Sequence, residues 1–297
     1  MAIVIAFLTG ISLIHIIGDK SPIYTPYFLG FLIACFVIAG ISVYDDVYHC
    51  SFKIKLGGQL LAISIAILSG IVIDVTHLPW LQEVHWGWYA YPLTFLWIFG
   101  LTNAYNFMDG LDGMAAATAV IAAIFLSVIS FQQGSHFIYL ASLILAAAAS
   151  GFLIFNLPPA RIFMGDVGST FLGLVFAIMA VIAARYDHSH TSLFVVPLLL
   201  FHFIFDTTFT FLRRLIGGEQ VFMAHRTHLY QLLNRLGYSH GHVTVVYSAL
   251  AISQGIAAIW MEKILGGDRL LVYPPFFLAY SIFAYLIIRK AKTRGLI

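Results

Sequence analysis

Residues 103–113 read NAYNFMDGLDG, and their surroundings decide the fold. Long apolar runs lie on both sides, in a chain of 297 residues that is 61% hydrophobic and only 9% charged. A soluble globular chain carries about 25% charged residues, so this composition belongs to a polytopic membrane protein. Two Asn and two Asp within eleven positions of such a chain are costly unless something meets their oxygens.

Working outward from that stretch, a membrane span needs about 20 apolar residues. The hydropathy pattern predicts ten, near 1–17, 25–44, 56–75, 92–107, 113–131, 137–155, 168–185, 193–213, 243–261 and 271–288. Helices are expected, because lipid forces each backbone group to bond within its own segment. The expectation is therefore an all-α integral membrane protein of about ten transmembrane helices, forming one domain over 1–297. The first apolar run lacks the basic lead and A-x-A-type site of a cleavable signal peptide. Two cysteines, Cys35 and Cys50, give neither a disulfide framework nor a metal spacing. Nothing basic and aromatic is interleaved as nucleic-acid binding would require.

Lys and Arg set the orientation. With both termini on one face, that face holds Lys53, Lys55, Arg161, Arg213, Arg214, Arg226, Arg235, Arg289, Lys290, Lys292 and Arg294. The other holds Lys20, Arg185, Lys263 and Arg269. The asymmetry makes the first face, with both termini, cytoplasmic. Four polar clusters then fall on that same face: Asp45-Asp46, the 103–113 stretch, NLPPARIFMGDVGS at 156–169, and AHRTHLY at 224–230. The acids took no part in the orientation, so their convergence is independent support for one site.

Asn103, Asn106 and Asp109 recur at i, i+3, i+6 and share a face on a helical end; Asp112 extends the row. Gly110 and Gly113 let the chain leave the helix and a ligand approach the backbone. Oxygen ligands in this pattern suit a hard cation such as Mg²⁺, although Asp112 alone could equally be a helix N-cap. Asp45 and Asp46 repel one another, which suits one of them to act as a base, or they end a solvated helix. Asp166, between glycines at the start of a span, would repel the phosphate that a helix N-terminus attracts unless a metal lay between them. Phe163 offers a stacking face and Asn156 a paired donor and acceptor, as a nucleobase needs; as lone residues both more often pack or cap. Arg226 suits a diphosphate through its planar fork, flanked by His225 and His228. Zinc at these histidines is disfavoured, because no Cys or third His stands at suitable spacing. Asp206, inside the eighth span, is a functional candidate or the partner of an Arg. Eight further histidines, His15, His49, His77, His85, His136, His188, His190 and His202, are expected in packing or interface positions.

From about Val37 to His242, the chain resembles the polyprenyl-phosphate N-acetylhexosamine-1-phosphate transferase superfamily. ISVYDD, NAYNFMDGLDG and NLPPARIFMGDVGS carry the resemblance, and RTHLYQLLNRLGYSH is most similar to the branch acting on UDP-GlcNAc or UDP-activated deoxy-N-acetyl sugars in surface polysaccharide (O-antigen) assembly. The resemblance implies transfer of the sugar 1-phosphate from a UDP-N-acetylhexosamine to undecaprenyl phosphate, with UMP released at the cytoplasmic face of a bacterial inner membrane. It implies Mg²⁺, with Mn²⁺ as substitute, held by Asp166 with Asn106 as second ligand or close support. Asp45 would deprotonate or orient the lipid phosphate, Asp46 would assist, and Asp109 would organise the metal–phosphate region. Asp112, Asn156 and Phe163 would receive the uracil, with Asn103 and Gly110 beside them. His225, Arg226 and His228 would hold the diphosphate or sugar. A homodimer is compatible with the resemblance.

Two departures from the family pattern stand out. Tyr230 and Arg226 occupy places where many members carry further His. Members also usually begin with one more span and a Pro/Gly-rich basic cytoplasmic motif, and Met1 is expected to fall just after it. Two rival readings are a cation-coupled transporter, which needs acids near the bilayer midplane and broken helices, and a CDP-dependent alcohol phosphotransferase. The second is rejected because Met114-Ala115-Ala116-Ala117 follows DGLDG where that signature needs further Asp.

Overall fold

The computed structural model describes residues 1–17, 23–48, 51–185, 191–221, 223, 225–264 and 266–297. Lys20, His49, Cys50, His188 and His190 lie outside the described residues. The helices are α1 (Ala2–Ile17), α2 (Thr25–Tyr48), α3 (Phe52–Leu68), α4 (Ala90–Phe107), α5 (Met114–Gln133), α6 (His136–Asn156) and α7 (Gly165–Arg185). They continue as α8 (Val195–Leu199), α9 (Phe201–Ile216), α10 (Leu229–Arg235), α11 (His240–Met261) and α12 (Tyr273–Thr293). Each expected span has a helical counterpart, and among the described residues six helices are long and apolar enough to cross a membrane.

Three expectations need correction. The third span does not run to residue 75: α3 stops at Leu68, and Gly70 at φ +98° turns the chain away, as glycine readily does. Beyond it lies a hairpin that an all-α reading omits. Strand β1 (Val75–Leu78) pairs antiparallel with β2 (Gln82–His85), in the register Val75 to His85 and Leu78 to Gln82. The eighth span is broken between α8 and α9. In the orientation that satisfies its amide, the buried Gln254 side chain donates to the Leu199 carbonyl (3.2 Å) and accepts from the His202 N–H (3.1 Å). A side chain inserted into the helical ladder interrupts it.

The central element is α7, with 94% of its most apolar 18-residue window buried. It packs against α2 and α4. Its approach to α4 requires Gly173: a Cβ there would lie 2.7 Å from Thr102 Cα and 3.0 Å from the Leu101 carbonyl oxygen. Small residues permit such close helix contacts in membranes. Those neighbours are backbone and cannot step aside, so Gly173→Ala should cost about 1–3 kcal/mol through overpacking. A lowered midpoint of thermal unfolding in detergent is the expected readout; an unchanged midpoint contradicts the contact. The same contact sets the end of α4 beside the start of α7, where the polar clusters meet.

Candidate active site

Three carboxylates from two helices converge. Asp45 and Asp46 end α2, and Asp166 occupies the first turn of α7. One ligand atom from each lies within 4.8 Å of the others. Asp45 is buried, at 4% exposure, whereas Asp46 faces outward. Gly165, at φ +66°, admits Asp46: a Cβ there would sit 2.7 Å from Asp46 Oδ2. Ser42 on α2 and Thr170 on α7 share a hydrogen bond of 2.9 Å behind the acids.

Lys55, on the first turn of α3, answers this charge. Its Nζ lies 2.5 Å from Asp45 Oδ2 and 2.6 Å from Asp166 Oδ2. Burial opposes the charge on Lys55, but hydrogen bonds and attraction from Asp166 and Asp45 outweigh it and hold its pKa above the usual lysine range. Sequence reasoning missed this role because Lys55 was counted only as an orientation signal. Its position ten residues after Asp45 at the foot of a helix was the available clue.

On the other side of Asp166, Asn106 Nδ2 donates to Asp166 Oδ1 (3.0 Å) and to Ser169 Oγ (2.9 Å). Asn106 is thus a direct support of the carboxylate. Asp109 is in the turn after α4, where burial first and the charge of Asp166 second push its carboxyl well above the usual carboxylate range. A cation among these oxygens would reverse that pressure. An all-oxygen donor set with one buried and two accessible carboxylates fits Mg²⁺, which takes one or two carboxylates and keeps waters and phosphates.

A cleft of about 360 Å³ opens beside Asp166, within the range of small-molecule sites. Asn106, Asp109, Gly110, Asp112, Asn156 and Phe163 line it together with Asp166 and His240. Phe163 is 77% exposed and presents its ring. Asn156 is a tie between loops: its Oδ1 accepts the Gly113 N–H (3.0 Å) and its Nδ2 donates to the Ile162 carbonyl (2.8 Å). Asp112 is not the N-cap of α5, a place taken by Gly113 at φ +76°. It instead accepts from the Ala160 N–H (3.2 Å) and faces His240 Nδ1 at 3.3 Å. His240, the first residue of α11 and the last of the RTHLYQLLNRLGYSH stretch, was given no role in the sequence, although its place in that stretch was the available signal.

Six expected site residues do not line the cleft: Asp45 and Asp46 stand in the carboxylate cluster with Asp166, and the other four are Asn103, His225, Arg226 and His228. Asn103 faces α3, donating to Gln59 Oε1 at 3.0 Å. His225, Arg226 and His228 lie on the segment leading into α10, with the His225 and His228 ring centres 4.9 Å apart. Burial, then the charges of His228, Arg214 and Arg213, push the pKa of His225 down to about 4. Arg226, on the same segment, is exposed. The segment approaches the 103–113 turn where the rings of Phe107 and His228 stack at 6.1 Å.

Residues 28–184, which include all three clustered carboxylates and most of the cleft, match the family described as glycosyl transferase family 4. The chain belongs to that family. The resemblance to polyprenyl-phosphate N-acetylhexosamine-1-phosphate transferases is thereby borne out. A probable undecaprenyl-phosphate N-acetylglucosaminyl 1-phosphate transferase of Bacillus subtilis is 36% identical over 77% of this chain and 66% of its own length. A decaprenyl-phosphate N-acetylglucosaminephosphotransferase of Mycobacterium tuberculosis is 30% identical over 76% and 62%. A phospho-N-acetylmuramoyl-pentapeptide-transferase of Moorella thermoacetica is 31% identical over 71% and 66%. The chain thus matches just under two thirds of the length of these relatives.

Proposed function

We propose that this family 4 chain transfers N-acetylhexosamine 1-phosphate from a UDP-sugar to a polyprenyl phosphate, of undecaprenyl type, at the cytoplasmic face of a bacterial inner membrane. The observation that carries the reading is the meeting of Asp45, Asp46 and Asp166 within 4.8 Å, beside a cleft large enough for a nucleotide. Names of relatives support the substrate classes: one acts on undecaprenyl phosphate and another on decaprenyl phosphate, each with an N-acetylglucosaminyl group.

In this reading an oxygen of the lipid phosphate forms a bond to the β-phosphorus of the UDP-sugar. The bond from that phosphorus to the bridging oxygen breaks, and UMP leaves with the oxygen. Phosphoryl transfer asks a protein mainly to position the groups and to stabilise charge. Asp45, held by Lys55, orients the lipid phosphate or takes its proton, and Asp46 assists. Asp166, braced by Asn106, together with Asp46 would hold Mg²⁺, which when bound neutralises charge on the diphosphate. Asp109 sits behind them, and Phe163 and Asp112 receive the base. Arg226 and the neighbouring histidines meet the diphosphate or sugar from the adjoining segment.

A transporter gains no support. Asp206, the acid inside the eighth span, is bound up with the backbone of α10. The deciding experiment incubates membranes containing the chain with labelled UDP-N-acetyl sugars and undecaprenyl phosphate, then extracts lipid. Labelled lipid and UMP are expected, both abolished by EDTA and restored by Mg²⁺. Turnover that survives complete chelation contradicts the metal, and lipid labelling without UMP contradicts the reaction.

A further inference from the structure

The buried acid of α9 and the departure from the family pattern at Tyr230 meet in one knot. Asp206, at 1% exposure, sits on α9. Its Oδ1 accepts the Leu229 N–H (2.8 Å), and its Oδ2 accepts the Tyr230 N–H (3.2 Å) and the Tyr247 hydroxyl (2.9 Å). The first amides of a helix have no partner within it, so Asp206 satisfies the start of α10 in surroundings where water could not. His228 Nδ1 lies 3.4 Å from the same carboxylate.

Tyr230 carries this anchorage to the other loop. Its hydroxyl donates to the Phe107 carbonyl (2.9 Å), across 123 positions of sequence, and accepts from Gln231 Nε2 (3.1 Å). It also fills the space a Cβ on Gly110 would take. Phe107 adjoins Asn106, the support of Asp166. We infer that Asp206 and Tyr230 are positioning residues which lock the His225–His228 segment to the 103–113 turn, so that donor contacts and carboxylates keep one register. The consequence for the donor rests on the transferase reading; the locking itself does not.

Two measurements test this on the full chain in detergent. Tyr230→Phe keeps the ring and removes the bond to Phe107, and Asp206→Asn removes the acceptor of the helix start. In the ligand-free protein, Tyr230→Phe is expected to speed amide hydrogen exchange both in 228–236 and in 105–111; faster exchange in one segment alone overturns the coupling. In the transfer assay, each variant is expected to raise KM for the UDP-sugar five- to tenfold and leave KM for the lipid phosphate unchanged. A merely structural role would lower the active fraction, and hence the apparent kcat, with both KM values intact, and that result overturns positioning. If the wild type releases no UMP, the transferase reading falls and the exchange result alone decides the coupling. Should Asp206→Asn fail to fold, Tyr230→Phe carries both readouts.

Discussion

Asp166→Ala is expected to reduce UMP release by about 10³-fold or more, at the upper end of what removal of one preorganised electrostatic group costs. The reason is that three contacts converge on this one side chain. Lys55 donates to Oδ2 and Asn106 to Oδ1, and Asp45 and Asp46 lie within 4.8 Å. Truncation removes a ligand oxygen and also releases the two donors that hold the neighbouring groups. Added Mg²⁺ should restore little, because Asp45 is buried and engaged with Lys55. Asp166→Asn separates the two contributions: it keeps the shape and an acceptor for Asn106 but loses the charge. It should remain folded and be nearly as inactive. Thermal unfolding in detergent checks the first point. Full turnover in either variant would remove Asp166 from the chemistry.

Lys55→Ala should tighten the hold on the metal while lowering turnover. The ammonium sits between Asp45 and Asp166 where a divalent ion would also be drawn, so lysine and metal compete for the same oxygens. Two unit charges at 4 Å interact by about 4 kcal/mol at an effective dielectric of 20 and about 1 in water. Lys55 is 40% exposed, which places its contribution toward the smaller figure. Without it, the Mg²⁺ concentration giving half-maximal activity is expected to fall, by about three- to tenfold, because the acids are less neutralised. Turnover is expected to drop by about 10²-fold, since the cation that would greet the acceptor phosphate is gone. Lys55→Arg should recover part of the turnover. A half-maximal Mg²⁺ concentration that rises in Lys55→Ala would show that the lysine assists the metal instead of competing with it.

Much of this was legible because lipid imposes simple rules. Hydropathy locates the helices, and the lysine and arginine asymmetry assigns four polar loops to one face. The acids of α2 and α7 did meet. What escaped the sequence depended on partners distant along the chain. The break after α8 comes from Gln254, more than fifty residues later. The hairpin at 75–85 carried a signal in Val75-Thr76-His77-Leu78 followed by Pro79, but a hydropathy window runs through it. Asn156 has the right chemistry for a base, and only geometry reveals that its amide is spent on Gly113 and Ile162. Lys55 illustrates the general difficulty, because one residue served two purposes and the statistical one hid the chemical one. The neutral state of His225 likewise arises from burial and crowding by other cations, which no spacing rule reports.

Among the described helices long enough to cross a membrane, the one that bears Asp166 is the most deeply buried. Changes in acyl-chain length or headgroup mixture should therefore reach that carboxylate only faintly, whereas the peripheral helices will feel them. If the proposed transfer holds, a thicker or thinner bilayer should leave the half-maximal Mg²⁺ concentration unchanged while KM for the polyprenyl phosphate drifts.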